Sequence, residues 1–233
     1  MSFFIFPPHP QKANCIHHSS LKLFENRGGW IAQRKYNGTH VVVYVRRRPN
    51  ETVDFDIWDR RGSHLTLYHA PETMITCFLG LNIKRNHDYV FAGELLHTKA
   101  KSKITGQQAA TNTIVLFDVL HAEHYLIDLT QRQRLELLSF LCRNPDQLEP
   151  KGRALVVATA AESNLWLAET FDGNYLEHFY EMFDFHIKTG EDKYPEIEGL
   201  VLRLENSHLA AGDRLHDVEW MMRVRKKSNK YQF

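Results

Sequence analysis

The sequence is short of cysteine, of net charge and of long apolar runs, and each shortage excludes something. Its 3 cysteines, Cys15, Cys77 and Cys142, lie far apart and form no CxxC pair. An odd, scattered set supports neither a disulfide framework nor a zinc cage, so a reducing, intracellular (cytoplasmic) setting is the expectation. No stretch approaches the roughly 20 apolar residues that cross a bilayer, so no membrane partner is expected. The opening MSFFIFPPHP is apolar only briefly and has no basic leader, so it does not read as a secretory signal. Lys and Arg number 29 against 28 Asp and Glu, and at a net +1 only a local patch could attract a polyanion.

What is present fits a globular chain. At 43% hydrophobic and 24% charged residues, neither a disordered nor a collagen-like chain fits. A length of 233 residues leaves room for one large domain or two small ones. The first 29 residues read as irregular, broken by Pro7, Pro8, Pro10 and Gly28-Gly29. Trp30 to Arg34 and His40 to Arg47 read as strands, and the Asn37-Gly38 turn between them predicts a hairpin. With Thr52–Trp58, where Val53, Phe55 and Ile57 alternate with acids, they predict an antiparallel meander with one face buried.

Further strands are expected over Asp88–Leu96, Thr113–Leu120, Ala154–Thr159, Ile197–Leu204 and Val218–Val224. Helices are expected over Pro71–Leu79, Thr130–Cys142, Leu165–Thr170 and Tyr175–Lys188, and Asn144–Gly152 reads as a linker. Thr130 is the expected cap, with Leu135, Leu138 and Leu141 on one stripe. The mix is α+β: antiparallel sheets flanked by helices in a single unit, residues 1–233, with a motif-bearing core over 30–227.

Basic residues bunch. Arg34, Lys35, Arg46, Arg47 and Arg48 come without an acid between them, and Arg60-Arg61 follow. Lys99, Lys101 and Lys103 alternate, and Arg223, Arg225, Lys226, Lys227 and Lys230 crowd the end. Each run alone reads as a solvated tip; together they suggest a positive groove for nucleic acid. Arg46, Arg47, Arg60, Arg61, Lys226 and Lys227 are the candidate contacts.

Lys35-Tyr36-Asn37-Gly38 is the informative tetrapeptide. A lysine that ends a buried strand among other cations becomes a usable nucleophile, because its pKa falls there. After it come Asp59-Arg60-Arg61-Gly62, Ala92-Gly93-Glu94-Leu95 and Leu116-Phe117-Asp118-Val119-Leu120. Glu198-Gly199-Leu200-Val201-Leu202-Arg203 and Trp220-Met221-Met222-Arg223-Val224-Arg225 complete the series. Singly, Phe117 reads as core, Glu94 and Glu198 as strand-edge acids and Arg60 as a surface cation.

In order and context the series resembles the motifs of the lysine-dependent covalent nucleotidyltransferases: DNA ligases, RNA ligases and mRNA capping enzymes. It is most similar to the adenylation domain of an ATP-dependent DNA ligase, and the resemblance runs from Trp30 to Lys227. It implies a nucleotidyltransferase (ATP-grasp-like) fold and DNA nick sealing with ATP and Mg²⁺, through AMP bound to Lys35. By the same resemblance Gln33 contacts adenine, Arg60 phosphate and Glu94 the ribose, and Phe117 stacks on the base. Glu198, with Glu94, is implied as a metal ligand, and Arg223 and Arg225 fall where the family faces the α-phosphate with lysines. The implied partner is nucleic acid with a 5′-phosphate beside a 3′-hydroxyl.

There are departures. Asn37 stands where DNA ligases have Asp, and His40 where they have Arg, so one phosphate-facing cation becomes pH-dependent. Arg223 and Arg225 keep charge but cannot donate a proton as lysine can. Only 8 residues follow Arg225, leaving no room for the OB-fold domain that closes over the family's site. Closure by an accessory protein is one expectation. RNA or RNA/DNA-hybrid joining, or a non-catalytic nucleic-acid-binding relative, are the alternatives.

Overall fold

A computed structural model of the chain describes residues 2–97, 112–142, 148–150, 155–157, 164–189, 195–210 and 217–226. Along it come β1 (His9–Pro10), α1 (Leu21–Arg27), β2 (Trp30–Tyr36), β3 (Thr39–Arg47) and β4 (Val53–Asp59). Then follow α2 (Glu72–Cys77), β5 (Asp88–Leu96), β6 (Thr113–Ala122), β7 (His124–Tyr125) and α3 (Gln131–Cys142). The remainder is β8 (Leu148–Pro150), β9 (Leu155–Val157), β10 (Leu165–Leu167), β11 (Thr170–Phe171), α4 (Tyr175–Thr189), β12 (Ile197–Leu204), β13 (Asp217–Val218) and β14 (Met221–Arg225).

The strands make an eight-stranded sheet, β4-β3-β5-β6-β10-β9-β8 with β7 beside β6, and a four-stranded sheet, β11-β2-β12-β14. β1 and β13 form a small separate pair. The protein is α+β; its four-stranded sheet is antiparallel as expected, but the large sheet is mixed and the small pair is parallel. β10 runs parallel to β6, and β1 to β13. A parallel pair needs a long crossover, and α3 lies in the one between β6 and β10.

Asn37-Gly38 does not close a hairpin. β2 pairs with β11 and β12, whereas β3 pairs with β4 and β5, so the turn carries the chain from one sheet to the other. Its amides are claimed from elsewhere: Asn37 N–H donates to the Glu196 carbonyl (2.7 Å) and Gly38 N–H to Glu94 Oε1 (2.9 Å). A Cβ at Gly38 would stand 2.3 Å from the Leu95 carbonyl oxygen, so the crossing requires glycine. The meander also has more than one face covered, because Val41, Val42, Val43, Tyr44 and Val45 of β3 are all buried.

Two apolar cores result. The larger packs β3, β5 and β6 with Met74 of α2 and with Leu138 and Leu141 of α3. The smaller packs Ala32, Leu200, Leu202 and Val224 with Leu21 of α1 and with Phe179 and Met182 of α4. Phe117 touches both. The expected cap of α3 is present as a reciprocal pair: Gln133 N–H donates to Thr130 Oγ1 (3.3 Å), and Thr130 N–H to Gln133 Oε1 (2.9 Å).

Three further readings are corrected. The segment 1–29 holds β1 and α1 and is not irregular throughout: Leu21 of α1 is fully buried, and tertiary packing offsets a poor local signal. Leu165–Thr170 is not helical; Leu165–Leu167 forms β10, with all three residues buried between β6 and β9. A short apolar run suits a buried strand as well as a helix. Leu148–Pro150, inside the expected linker, is a strand. Of the strand expected at Ala154–Thr159, Leu155–Val157 is present as β9. Its ends, the rest of the linker, Lys99, Lys101, Lys103, Lys227 and Lys230 lie outside the described residues.

Candidate active site

One wall of a cleft is formed by one face of the four-stranded sheet. Antiparallel neighbours share a face, so its pairing sets out side chains in rows. Gln33, Val201 and Arg223 make one row with Thr170 of β11; Lys35, Gly199 and Arg225 make the next; Ile31, Arg203 and Met221 lie on the other side. Glu198 reaches this face through a bulge. Ile197 pairs with Tyr36 and Gly199 with Lys35, which leaves Glu198 as the extra residue. A bulge re-aims the side chain it carries. Gly199 makes the bulge possible, at φ 154° and with no room for a Cβ beside the Val224 carbonyl.

The Glu198 carboxylate forms an ion pair with Lys35 Nζ, and the same Oε1 lies 3.5 Å from Arg225 Nη2. Lys35 is 18% exposed and Glu198 8%, so the pair is sheltered but reachable. Gln33 Nε2 donates to Thr170 Oγ1 (3.2 Å), and its Oε1 accepts from Arg203. An amide has two donors and two acceptor sites, so each end keeps capacity for a ligand.

The opposite wall comes from the large sheet. His40 of β3 stands opposite Glu94 of β5. Phe117 sits in a second bulge: β6 sets Leu116, Phe117 and Asp118 against only Gly93 and Ala92. The half-buried ring lies 5.3 Å below the Arg203 guanidinium, with the His40 ring edge-on at 5.2 Å. His40 Nε2 and Arg203 Nε are enclosed without hydrogen-bond partners among the described residues. Burial, and then the nearby His9, Arg60, Lys35 and Arg203, lower the His40 pKa to about 3. His40 is therefore neutral at pH 7 and supplies no cation. Burial also lowers Arg203, to about 10, which leaves it charged.

The end wall is the turn after β4 and the N-terminal segment. Asp59 Oδ1 accepts from Arg61 N–H (2.8 Å) and Ser63 N–H (2.9 Å), which shapes the turn that presents Arg60. Arg60 donates to His9 Nε2. Arg223 Nη2 donates to the carbonyls of Gln11 (3.0 Å) and Lys12 (3.2 Å), and burial, then Arg225, lowers its pKa.

The cleft encloses about 390 Å³, within the ordinary range of small-molecule sites. Among its lining residues, the basic Arg34, Lys35, Arg60, Arg61, Arg203, Arg223 and Arg225 outnumber the acidic Asp59, Glu94 and Glu198. Arg34 turns away to Glu169 (3.1 Å), and the rest still form a positive pocket with an aromatic ring at its side. Such a site suits an anion that carries a planar group.

Gln33, Lys35, Arg60, Glu94, Phe117, Glu198, Arg223 and Arg225 all line this cleft, as does Arg61. Arg46 and Arg47 do not: they end β3 far from His40 and pair with Asp88 (3.5 Å) and Glu51. Lys226 is 5% exposed and follows β14, its N–H donating to the Glu198 carbonyl (2.8 Å). Among the described residues no group of three His, Cys, Asp or Glu side chains could cage a metal ion. Two carboxylates, Glu94 and Glu198, suit Mg²⁺ that takes its remaining oxygens from phosphate and water. Sequence reasoning missed Arg203 and His9. Arg203 carried a signal, since it shares the two-residue period of Gly199 and Val201; His9, between two prolines, carried none.

No protein-family model matches the sequence, and no curated protein matches it. Solved structures do. A chain named Pmar-Lig_Pre matches with a TM-score of 0.56 at 14% identity, over 94% of this chain and 46% of its own. A chain named Pmar-Lig_PreS3 matches with a TM-score of 0.52 at 15% identity, over 91% of this chain and 46% of its own. This chain thus spans less than half the length of either. At such identity the likeness is one of fold, and the fold is ligase-like.

Proposed function

We propose that the chain is an ATP-dependent polynucleotide ligase that seals nicked DNA through AMP carried on Lys35. The lysine amine sheds a proton and attacks the α-phosphorus of ATP; a P–N bond forms and the P–O bond to pyrophosphate breaks. AMP then passes to a 5′-phosphate, and a 3′-hydroxyl displaces it to join the strand. The observation that carries this reading is the sheltered Lys35–Glu198 pair in a cleft shared with Phe117, Glu94, Arg60, Arg223 and Arg225. The names of the two structural neighbours support ligase chemistry in general.

In this reading Phe117 and Gln33 receive the base, Glu94 the ribose, and Arg60 the phosphates. Nucleotidyl transfer depends on alignment and on cationic cover for developing charge. Arg223 and Arg225 give that cover electrostatically and leave proton transfer to other groups. Glu198 and Glu94 would hold Mg²⁺, which adds charge neutralisation at the phosphates. Arg60 and Arg61, at the cleft, and Lys227 would meet the nucleic acid, whereas Lys226, at 5% exposure, is too enclosed to do so.

The test is incubation of the full chain with α-labelled ATP and Mg²⁺. Label that survives denaturation, requires ATP rather than GTP and disappears in Lys35→Ala supports the reading. Absence of label on the wild type, or its persistence in the variant, overturns it. Nicked DNA duplex is expected to be sealed faster than RNA; the reverse order makes the chain an RNA-joining enzyme.

A further inference from the structure

β1 brings into the cleft an imidazole that none of the steps above uses. Parallel pairing with β13 sets His9 opposite Asp217, and its Nδ1 lies 3.6 Å from Asp217 Oδ1. On the other side of the ring, Arg60 donates to Nε2. A neutral imidazole has one donor and one acceptor nitrogen, so an accepting Nε2 puts the proton on Nδ1, toward the carboxylate. The ring is thereby held at Nε2 with a carboxylate near Nδ1, and its side chain is 17% exposed.

We propose that His9 is a positioning residue, which orients the Arg60 guanidinium toward the phosphates of the bound nucleotide. The proposal rests on the nucleotide reading above. A long side chain such as arginine loses much freedom when it grips phosphate, and an anchor removes part of that cost before the ligand arrives. The groups that face His9 are Arg60, Arg223, Asp217 and the His40 ring, whose centroid is 6.4 Å away. Burial, then Arg60 and Arg223, lower the His9 pKa to about 4 against the opposing pull of Asp217. The ring therefore remains an acceptor at neutral pH. Once protonated, it can neither accept from Arg60 nor avoid repelling it.

The test is a double-mutant cycle on ATP binding to the full chain without Mg²⁺, so that no transfer intervenes. His9→Ala and Arg60→Ala are each expected to weaken binding about tenfold, the usual effect of losing one charge-assisted contact. The double variant is expected to bind no more weakly than Arg60→Ala. His9→Gln, whose amide oxygen can accept from Arg60, is expected to restore binding to within about threefold of wild type. It is also expected to lose the extra fall in affinity that wild type shows between pH 6 and 4. Protonation of the nucleotide is common to both proteins and cancels.

Multiplicative losses in the double variant, a glutamine as weak as alanine, or equal pH dependence would each overturn the proposal. Simple undocking of the N-terminal segment would give the multiplicative result. If wild type neither binds ATP nor takes up label, the ligase reading itself falls and this proposal falls with it.

Discussion

Lys35 and Glu198 meet because β12 carries one residue more than β2 between Ile197 and Gly199. In a regular strand Glu198 and Gly199 would face opposite ways, and the carboxylate would enter the core that holds Leu200 and Leu202. The bulge turns it onto the cleft face, between a lysine and an arginine.

Removal of that carboxylate leaves the Lys35 amine beside Arg225 with nothing between them. Glu198→Ala is expected to slow AMP uptake by at least about tenfold. Glu198→Gln, which keeps an acceptor but no charge, is expected to fall between. Initial rates of labelling check both.

Gly199 is expected to tolerate no side chain. An added Cβ would lie 1.9 Å from the Val224 carbonyl oxygen at φ 154°, and rigid backbone cannot retreat from it. Gly199→Ala is expected to cost about 3 kcal/mol or more in urea unfolding. Gly173→Ala, with nothing within 4 Å of the new carbon, is the control and should be close to neutral.

Asp118 and Arg134 are completely enclosed, paired at 3.1 and 3.2 Å, and completed by Gln131 Nε2 at 3.3 Å. Deleting one partner strands a charge in the core. Arg134→Ala and Asp118→Ala are each expected to destabilise by about 3–5 kcal/mol. The pair Asp118→Leu with Arg134→Met should cost less than the sum of the two alanine variants, a non-additivity that denaturant titration can read.

Stability is expected to fall with acid before the carboxylates titrate. His9 and His40 have pKa values of about 4 and 3, lowered from 6.5, and His121 is lowered as well. Below pH 6.5 the unfolded chain takes up protons that the folded chain refuses, so unfolding free energy drops as pH falls. Each such histidine contributes a slope of about 1.4 kcal/mol per pH unit until its folded form protonates. Urea unfolding at pH 7 and pH 5 should show the drop, and His9→Gln with His40→Gln should flatten it.

Much of the cleft was legible because its residues sit in short motifs on strands; the bulges that aim Glu198 and Phe117 into it were not. Lys35, Glu94, Phe117, Glu198, Arg223 and Arg225 belong to such strands. What escaped was decided by distant partners. Asn37-Gly38 has the same local chemistry whether the strands on either side pair or part; the amide acceptors at Glu196 and Glu94 decide it. Arg46 looks like part of a free basic patch until folding brings Asp88 of β5 to it. His9 acquires meaning only when β13, near the other end of the sequence, lies beside it.

The alternation of β12 also guards assembly. If β12 slid by one place along β2, Arg203 would be driven among Leu21, Phe179 and Met182, and Leu200 and Leu202 would be turned out to water. Such a chain would be penalised as a fold before it could be penalised as a catalyst. Copies that reach the native state should therefore arrive with a finished pocket, and mis-threaded ones should be lost to unfolding rather than persist as inactive look-alikes.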